Sequence, residues 1–246
     1  MALDEALLAG VGDGSSPPTI RLYGFNPPTL SVGRFQRVRD VLLPEALARD
    51  GVGFVRRPTG GHAVLHDDEL TYAVCFSRLF AERELGGCRK RTVYMFVARL
   101  LASCLEALGV KAAPCESREG DLRNPDCFAS TGEYEIRSLA GRKLIGSAQV
   151  TSRTGVLQHG SIPIGDRGGR VAAYLSTEPL PDSARPSSLL EETGRRMPFE
   201  EVRDSFARHL RQGFEAEDGA WSDREKETAE RLLADRYSRD EWNLQH

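Results

Sequence analysis

Residues 54–76, FVRRPTGGHAVLHDDELTYAVCF, decide the fold. Three runs within them, 54–56, 63–66 and 69–76, are rich in β-branched and aromatic residues and read as short strands. Gly60-Gly61 separates the first two in hairpin style, and Arg56-Arg57 ends the first. Working outward, 20–23 and 30–32 have the same strand character upstream. The segment before them, Gly10 to Pro18, is a Gly/Ser/Pro loop, and residues 1–9 place Leu3, Leu7 and Leu8 at helical spacing. Downstream, Val93, Phe96, Val97, Leu100, Leu101, Cys104, Leu105 and Leu108 follow the i, i+3, i+4, i+7 rule and predict a helix over 91–108. Strands are expected again over 133–138, 142–151 and 156–164. Beyond about residue 170 the pattern turns helical, with candidates at 170–175, 198–213 and 222–236 and a Pro/Ser-rich loop at 179–188. Ser222 and Glu225 have the spacing of a capping box. Strands first and helices last predict an α+β domain with a mixed or antiparallel sheet flanked by helices.

Composition narrows the function classes. At roughly 150 residues per domain, 246 residues make one large domain, 1–246, with a mainly helical part from about 170. Thirty-three basic against 36 acidic residues leave a net charge of −3, too little positive charge for a nucleic-acid coat. The longest apolar stretch, 92–110, is broken by Arg99 and Glu106 and does not read as a membrane span. The start, MALDEALLAG, is acidic and unlike a secretory leader. Five cysteines (75, 88, 104, 115 and 127) contain no CxxC pair, so neither a disulfide framework nor a zinc site is expected, and a reduced, cytoplasmic protein is.

Particular residues carry the chemistry. No GxxxxGK[ST] or strand-to-helix GxGxxG occurs, which argues against P-loop and dinucleotide enzymes. The histidines show no close metal-ligand spacing. His209 and His246 read as structural, whereas His66 and His159 lie at strand-to-turn positions where a ligand can approach. In Arg56-Arg-Pro-Thr-Gly-Gly61 the glycines leave room where guanidinium groups would meet a ligand; solvated arginines in a hairpin are the alternative. Cys104 and Cys75 fall on apolar faces. Cys127 ends an irregular charged segment, and is the cysteine best placed to be exposed and held by a loop. Only four of the 33 basic residues are lysine, and one, Lys143, sits inside a strand between Gly141 and Gly146. It is either a working point charge or an edge-strand gatekeeper.

Arg56-Arg-Pro-Thr-Gly-Gly-His-Ala-Val-Leu-His-Asp67 with Glu69-Leu-Thr-Tyr72, Gly141-Arg-Lys-Leu-Ile-Gly-Ser-Ala-Gln149 and Leu157-Gln-His-Gly-Ser161 together resemble the lipoate-protein ligase and octanoyltransferase superfamily. The opening MALDEALL, the segment from Pro28 to Gln36 and the terminal Glu241-Trp-Asn243 match as well, so the resemblance runs nearly end to end. Asn124-Pro-Asp-Cys-Phe128 is similar to the motif of its cysteine-bearing octanoyltransferases; ATP-using ligases carry an Asn-Asp pair there, and a related amidotransferase also has a cysteine. In the family a strand usually precedes the MALDEALL helix, and this sequence starts at the helix.

The resemblance implies the α+β catalytic domain shared with biotin protein ligases and class II aminoacyl-tRNA synthetases. It implies transfer of an octanoyl group from octanoyl-acyl carrier protein to a lysine of a lipoyl domain, the glycine cleavage H protein or a 2-oxoacid dehydrogenase acyltransferase subunit, as the first step of lipoate biosynthesis. No cofactor, metal, nucleic acid or membrane is implied. The alternatives within the family are an octanoyl amidotransferase between lipoyl domains and an ATP-dependent lipoate-protein ligase. Cys127 would be the acyl-thioester nucleophile. Lys143 would lower the thiol pKa and stabilise the oxyanion, with His159 as the competing activator. Arg57, Gly60, Gly61, His66, Gly146, Ala148, His159 and Gly160 would form the substrate pocket.

Overall fold

The computed structural model describes residues 1–115, 119–120, 125–131, 134–165, 170–177 and 185–245, with the backbone alone for 119–120 and 129–131. Asn124, Glu133 and His246, and parts of the polar loops at 115–127 and 179–188, lie outside them. In chain order the elements are α1 (Ala2–Asp13), β1 (Thr19–Tyr23), β2 (Thr29–Val32), α2 (Pro44–Asp50), β3 (Gly53–Arg56), β4 (Val64–His66), β5 (Glu69–Ser77), α3 (Arg78–Glu84) and α4 (Lys90–Glu106). There follow β6 (Ala112–Pro114), β7 (Glu119–Gly120), β8 (Ser130–Thr131), β9 (Ile136–Ser138), β10 (Lys143–Thr151) and β11 (Gly155–Pro163). Helices complete the chain: α5 (Leu189–Thr193), α6 (Phe199–Phe214), α7 (Asp223–Leu232) and α8 (Asp240–Asn243).

A six-stranded antiparallel sheet in the order β1-β5-β11-β10-β9-β6 is the frame. Its strand β5, next to the edge strand β1, is buried on both faces, and the two-residue period of a strand divides it between them. Leu70, Tyr72, Val74 and Phe76 join Val93, Val97, Leu101 and Leu105 of α4 and Phe206 of α6 in the main core. Ala73 and Cys75 face the other way, against Leu7 and Leu8 of α1. Each fully buried Leu, Val or Phe contributes roughly 1.5–3 kcal/mol, so the 3.6-residue stripe of α4 and the alternation of β5 together specify which faces meet. Cys104 lies in that stripe, fully buried, and the His209 ring pairs with Ser103 across the α4–α6 contact.

A second, three-stranded sheet has the order β3-β2-β4, with β2 parallel to β3 and antiparallel to β4. Gly60-Gly61 therefore closes no hairpin: β3 and β4 lie on opposite sides of β2, and the turn between them crosses its end. Gly33, just past β2, is needed there because a Cβ would overlap the Gly61 carbonyl. Three other expectations change. The helix at the start runs through Gly10 and Gly12 to Asp13 and ends at Gly14, whose φ is 82°. Gly10 and Gly12 serve close packing against Ser16 and Thr154, not a loop. Residues 170–175 form a short 3-10 turn (Arg170–Ala173), and the expected helix at 222–236 continues past α7 as a π turn (Leu233–Tyr237). The capping box of Ser222 and Glu225 is present. Among the described residues no helix is long and apolar enough to cross a membrane.

Candidate active site

Cys127 opens a 3-10 turn (Cys127–Ala129) fastened to the start of β4. The Ala63 N–H donates to the Pro125 carbonyl at 2.7 Å, and the Cys127 N–H returns a bond to the Ala63 carbonyl at 2.8 Å. Asp126 accepts the Phe128 N–H at 2.8 Å, and Gln36 donates to the Pro125 carbonyl at 2.9 Å. The cysteine is thus held by backbone bonds from a neighbouring sheet, as a loop residue must be to present a side chain reproducibly.

Lys143, the first residue of β10, reaches back to this turn. Its Nζ donates to the Cys127 carbonyl at 2.7 Å and lies 3.7 Å from Cys127 Sγ. It also pairs with Glu135 at 2.8 Å, and Glu135 in turn accepts the Ser147 N–H at 3.2 Å. Lys143 and Glu135 are both buried. Gly146 lies under the thiol: a Cβ there would stand 3.5 Å from Cys127 Sγ and 3.5 Å from Lys143 Cε. The glycine leaves this space beside sulfur unfilled. Gly160, on the adjacent strand, is required by sterics, because its Cβ would collide with the Gly146 carbonyl and the Tyr72 ring.

From the thiol a narrow slot of about 20 Å³ runs between the two sheets, or about 340 Å³ counting the solvent at its mouth. Arg57, His66, Gly146, Ala148, His159 and Gly160 line it together with Cys127, as do Tyr23, Ser31 and Val64. Gly60 and Gly61 are not among them; the Gly60 carbonyl accepts from Arg57 at 2.9 Å, and Gly61 lies beside Arg57 and Ala148.

Both lining histidines are fully engaged. His66 contacts Glu69 through Nδ1 at 2.5 Å and Ser31 Oγ through Nε2 at 2.8 Å, and its ring stacks on Phe25. His159 contacts Asp4 through Nδ1 at 3.2 Å and Thr59 Oγ1 through Nε2 at 2.7 Å. With both ring nitrogens of His159 taken, no Cys–His pair forms with Cys127. Arg57 donates to the His62, Gly60 and Ser31 carbonyls. Arg56 meets no ligand space: fully buried, it spends its guanidinium on carbonyls of Gly33, Gln36, Asn243 and Gln245. It binds the loop after β2 to α8, where Asn243 accepts the Arg56 N–H and the Trp242 indole donates to the Arg56 carbonyl. This accounts for Trp242 and Asn243 of the terminal motif.

The electrostatics at Cys127 have opposing sources. Burial pushes the Cys127 thiol up; Lys143 and Arg57 pull it down, Glu135 and Asp126 oppose them, and the net direction is upward. Lys143 acts on the thiol in the expected direction, lowering its pKa, and burial outweighs that pull. For Lys143 itself, burial works against the ammonium, but Cys127 and Glu135 outweigh it and raise its pKa. Burial lowers His159, so the ring is neutral at pH 7. Among the described residues no group of three or more His, Cys, Asp or Glu could hold a metal ion. Sequence reasoning missed Glu135, Asp4, Glu69 and Thr59. Asp4 carried a signal, a charge between apolar Leu3 and Leu7 on one helix. Glu135 carried none, lying between a tyrosine and an isoleucine like any polar strand residue.

Comparison with known proteins gives the family and the fold. Residues 1–211 match the family described as the lipoyl protein ligase A/B catalytic domain. Octanoyltransferase LipM of Kyrpidia tusciae is 39% identical over 99% of this chain and 93% of that protein. Those of Anoxybacillus flavithermus and Bacillus subtilis are 36% and 34% identical, each over 99% of this chain and 92% of the other. Among solved structures, lipoate-protein ligase A bound with ATP superposes with a TM-score of 0.78 at 22% identity, covering 99% of this chain and 92% of that one. A putative lipoate protein ligase from T. acidophilum with bound lipoic acid gives 0.74 at 22% identity, with the same coverage. The fold is that of the lipoate ligases, and the chain belongs to the lipoyl protein ligase A/B catalytic-domain family, alongside the octanoyltransferases LipM.

Proposed function

We propose that this acyltransferase moves an octanoyl group from octanoyl-acyl carrier protein to a lysine of a lipoyl domain, the glycine cleavage H protein first among acceptors, through a thioester on Cys127. The observation that carries the reading is the conjunction at one end of the slot: a half-buried thiol, an ammonium 3.7 Å from it, and an unfilled space over Gly146.

In the first half-reaction the Cys127 sulfur attacks the donor carbonyl. A new C–S bond forms, the donor C–S bond breaks, and the thiol proton leaves with the carrier thiol. Because the donor is already a thioester, the exchange is nearly isoenergetic and needs no ATP. In the second, the acceptor lysine amine attacks the Cys127 thioester, a C–N bond forms, and one amine proton ends on the departing sulfur. Each step passes through a tetrahedral oxyanion. Lys143, already bonded to the Cys127 carbonyl, is the charged donor that would meet it. The octanoyl chain would enter the slot that Val64, Ala148 and Gly160 line, which has to open to admit it. Each methylene buried contributes about 0.8 kcal/mol, so the discrimination between chain lengths is modest.

The reading is tested by supplying a lipoyl-domain acceptor with either octanoyl-acyl carrier protein or free octanoate plus ATP. Octanoylation of the acceptor is expected with the first alone. Modification that requires ATP would identify a ligase, and a faster reaction from an octanoylated lipoyl domain would identify an amidotransferase.

A further inference from the structure

Glu135 is absent from the scheme above, yet it is the residue that Lys143 pairs with. The carboxylate lies 2.8 Å from Nζ, while the Cys127 carbonyl and Sγ lie at 2.7 and 3.7 Å. Of these three partners, Glu135 alone carries a negative charge throughout a cycle. Sulfur is neutral as a thiol and as a thioester, and anionic only as a thiolate. The carboxylate is itself fixed, since Oε1 accepts the Ser147 N–H while Oε2 meets Lys143. A buried ammonium deprived of its paired carboxylate loses its proton or its place.

We infer that Glu135 is a positioning residue that keeps the Lys143 ammonium charged and seated at Cys127 while the sulfur carries an acyl group. The inference rests on reading Cys127 as the acyl carrier. It has a consequence of unusual sign. The charged groups facing Cys127 are Lys143 from β10, Arg57 from the end of β3, Glu135 ahead of β9 and Asp126 from the cysteine turn. Lys143 and Arg57 favour a thiolate; Glu135 and Asp126 oppose it. Removing the Glu135 charge lowers the proton affinity of the Cys127–Lys143 pair and makes the free thiol more reactive. In the acyl-enzyme the thiolate is gone, and removing the same charge takes away the carboxylate that holds Lys143. Transfer to the amine then slows. Glu135 gains no proton in either half-reaction; its role is charge and geometry.

Glu135→Gln keeps the shape and the acceptor for Ser147, and Glu135→Asp keeps the charge. Two rates are measured on each full-length variant: alkylation of the free enzyme by iodoacetamide across pH, and single-turnover transfer from pre-acylated enzyme to a lipoyl-domain acceptor. For Gln, the alkylation profile is expected to move down by about one pH unit. Transfer from the acyl-enzyme is expected to slow about tenfold or more. Asp should stand between Gln and wild type in both. An alkylation profile that stays or rises, or a wild-type transfer rate in Gln, overturns the inference. Should Gln fail to fold, the same pair of opposite shifts, smaller, is read from Asp. Failure of wild-type enzyme to form any acyl adduct sinks the Cys127 reading instead, and the alkylation profile still reports on Glu135 independently.

Discussion

The two ends of the slot handle buried charge in opposite ways. At the histidine end every carboxylate is saturated: Asp4 accepts from Arg21, Tyr23 and His159, and Glu69 from His66, Thr71 and Ser161. Burial alone would raise Asp4, yet His159 and Arg21 help to hold it far below the ordinary carboxylate range. At the cysteine end the thiol has one ammonium, which it shares with Glu135, and burial prevails. A group with a full set of partners keeps one charge state and gives the pocket its shape. A group with a contested partner can change charge as chemistry requires. The same low dielectric produces both outcomes, and the number of partners decides between them.

That contrast can be broken at either end. Cys127→Ala should reduce acyl transfer by about 10⁴-fold or more while leaving the thermal midpoint unchanged, because it removes the proposed nucleophile from a turn held by backbone bonds. A residual rate within tenfold of wild type would count against covalent transfer. At the other end, Asp4→Asn should cost about 3–5 kcal/mol of stability in urea titrations at pH 7, since it leaves Arg21 and His159 without their buried carboxylate. The Asp4 contribution exists above the unfolded carboxylate pKa near 4 and is lost only as pH falls through the depressed folded value. Acid titration of wild type and variant should therefore converge only at low pH. A loss under 1 kcal/mol at neutral pH would show that the cluster is not saturated after all.

Lys143→Met, which keeps the stem and removes the charge, should slow transfer from octanoyl-acyl carrier protein roughly 10²- to 10³-fold and move thiol alkylation to higher pH. An unaltered alkylation profile would deny Lys143 any influence on the sulfur. The smallest effect concerns Asp126, whose carboxyl is pushed up to about 6 by burial, against bonding to Phe128 N–H and the pull of Lys143. Its folded pKa exceeds the unfolded one, so the native state holds the extra proton between about pH 4 and 6, and stability declines as pH rises through that window. Asp126→Asn keeps the acceptor for Phe128, removes the decline and should stabilise the protein at pH 7 by about 2–3 kcal/mol. A variant less stable than wild type at pH 7 would mean that the carboxylate is better solvated than its burial implies.

The parts of this molecule that were legible in the sequence are those governed by a single period. The β-branched and aromatic run 69–76 read as a strand and the stripe from Val93 to Leu105 as a helix, and both are present; the division of β5 between two cores came from the structure. Cys127 and Lys143 stood out by chemistry, and they do meet. What was hidden depends on contacts distant in sequence. The parallel pairing of β2 with β3 is set by the crossing at Gly33 and Gly61, whereas two glycines in sequence look the same in a hairpin. Arg56 resembled a ligand-binding arginine until its carbonyl partners from 33–36 and 243–245 were in place. Glu135 became visible only as the neighbour of Lys143.

The central claim is that Cys127 carries the acyl group. Intact-mass measurement of the protein after brief mixing with octanoyl-acyl carrier protein, without acceptor, tests it most directly. A single octanoyl adduct should appear on wild type, be absent from Cys127→Ala, and disappear on addition of a lipoyl domain as that domain gains the same mass. An adduct that persists in Cys127→Ala, or full turnover with no adduct on wild type, would contradict the account.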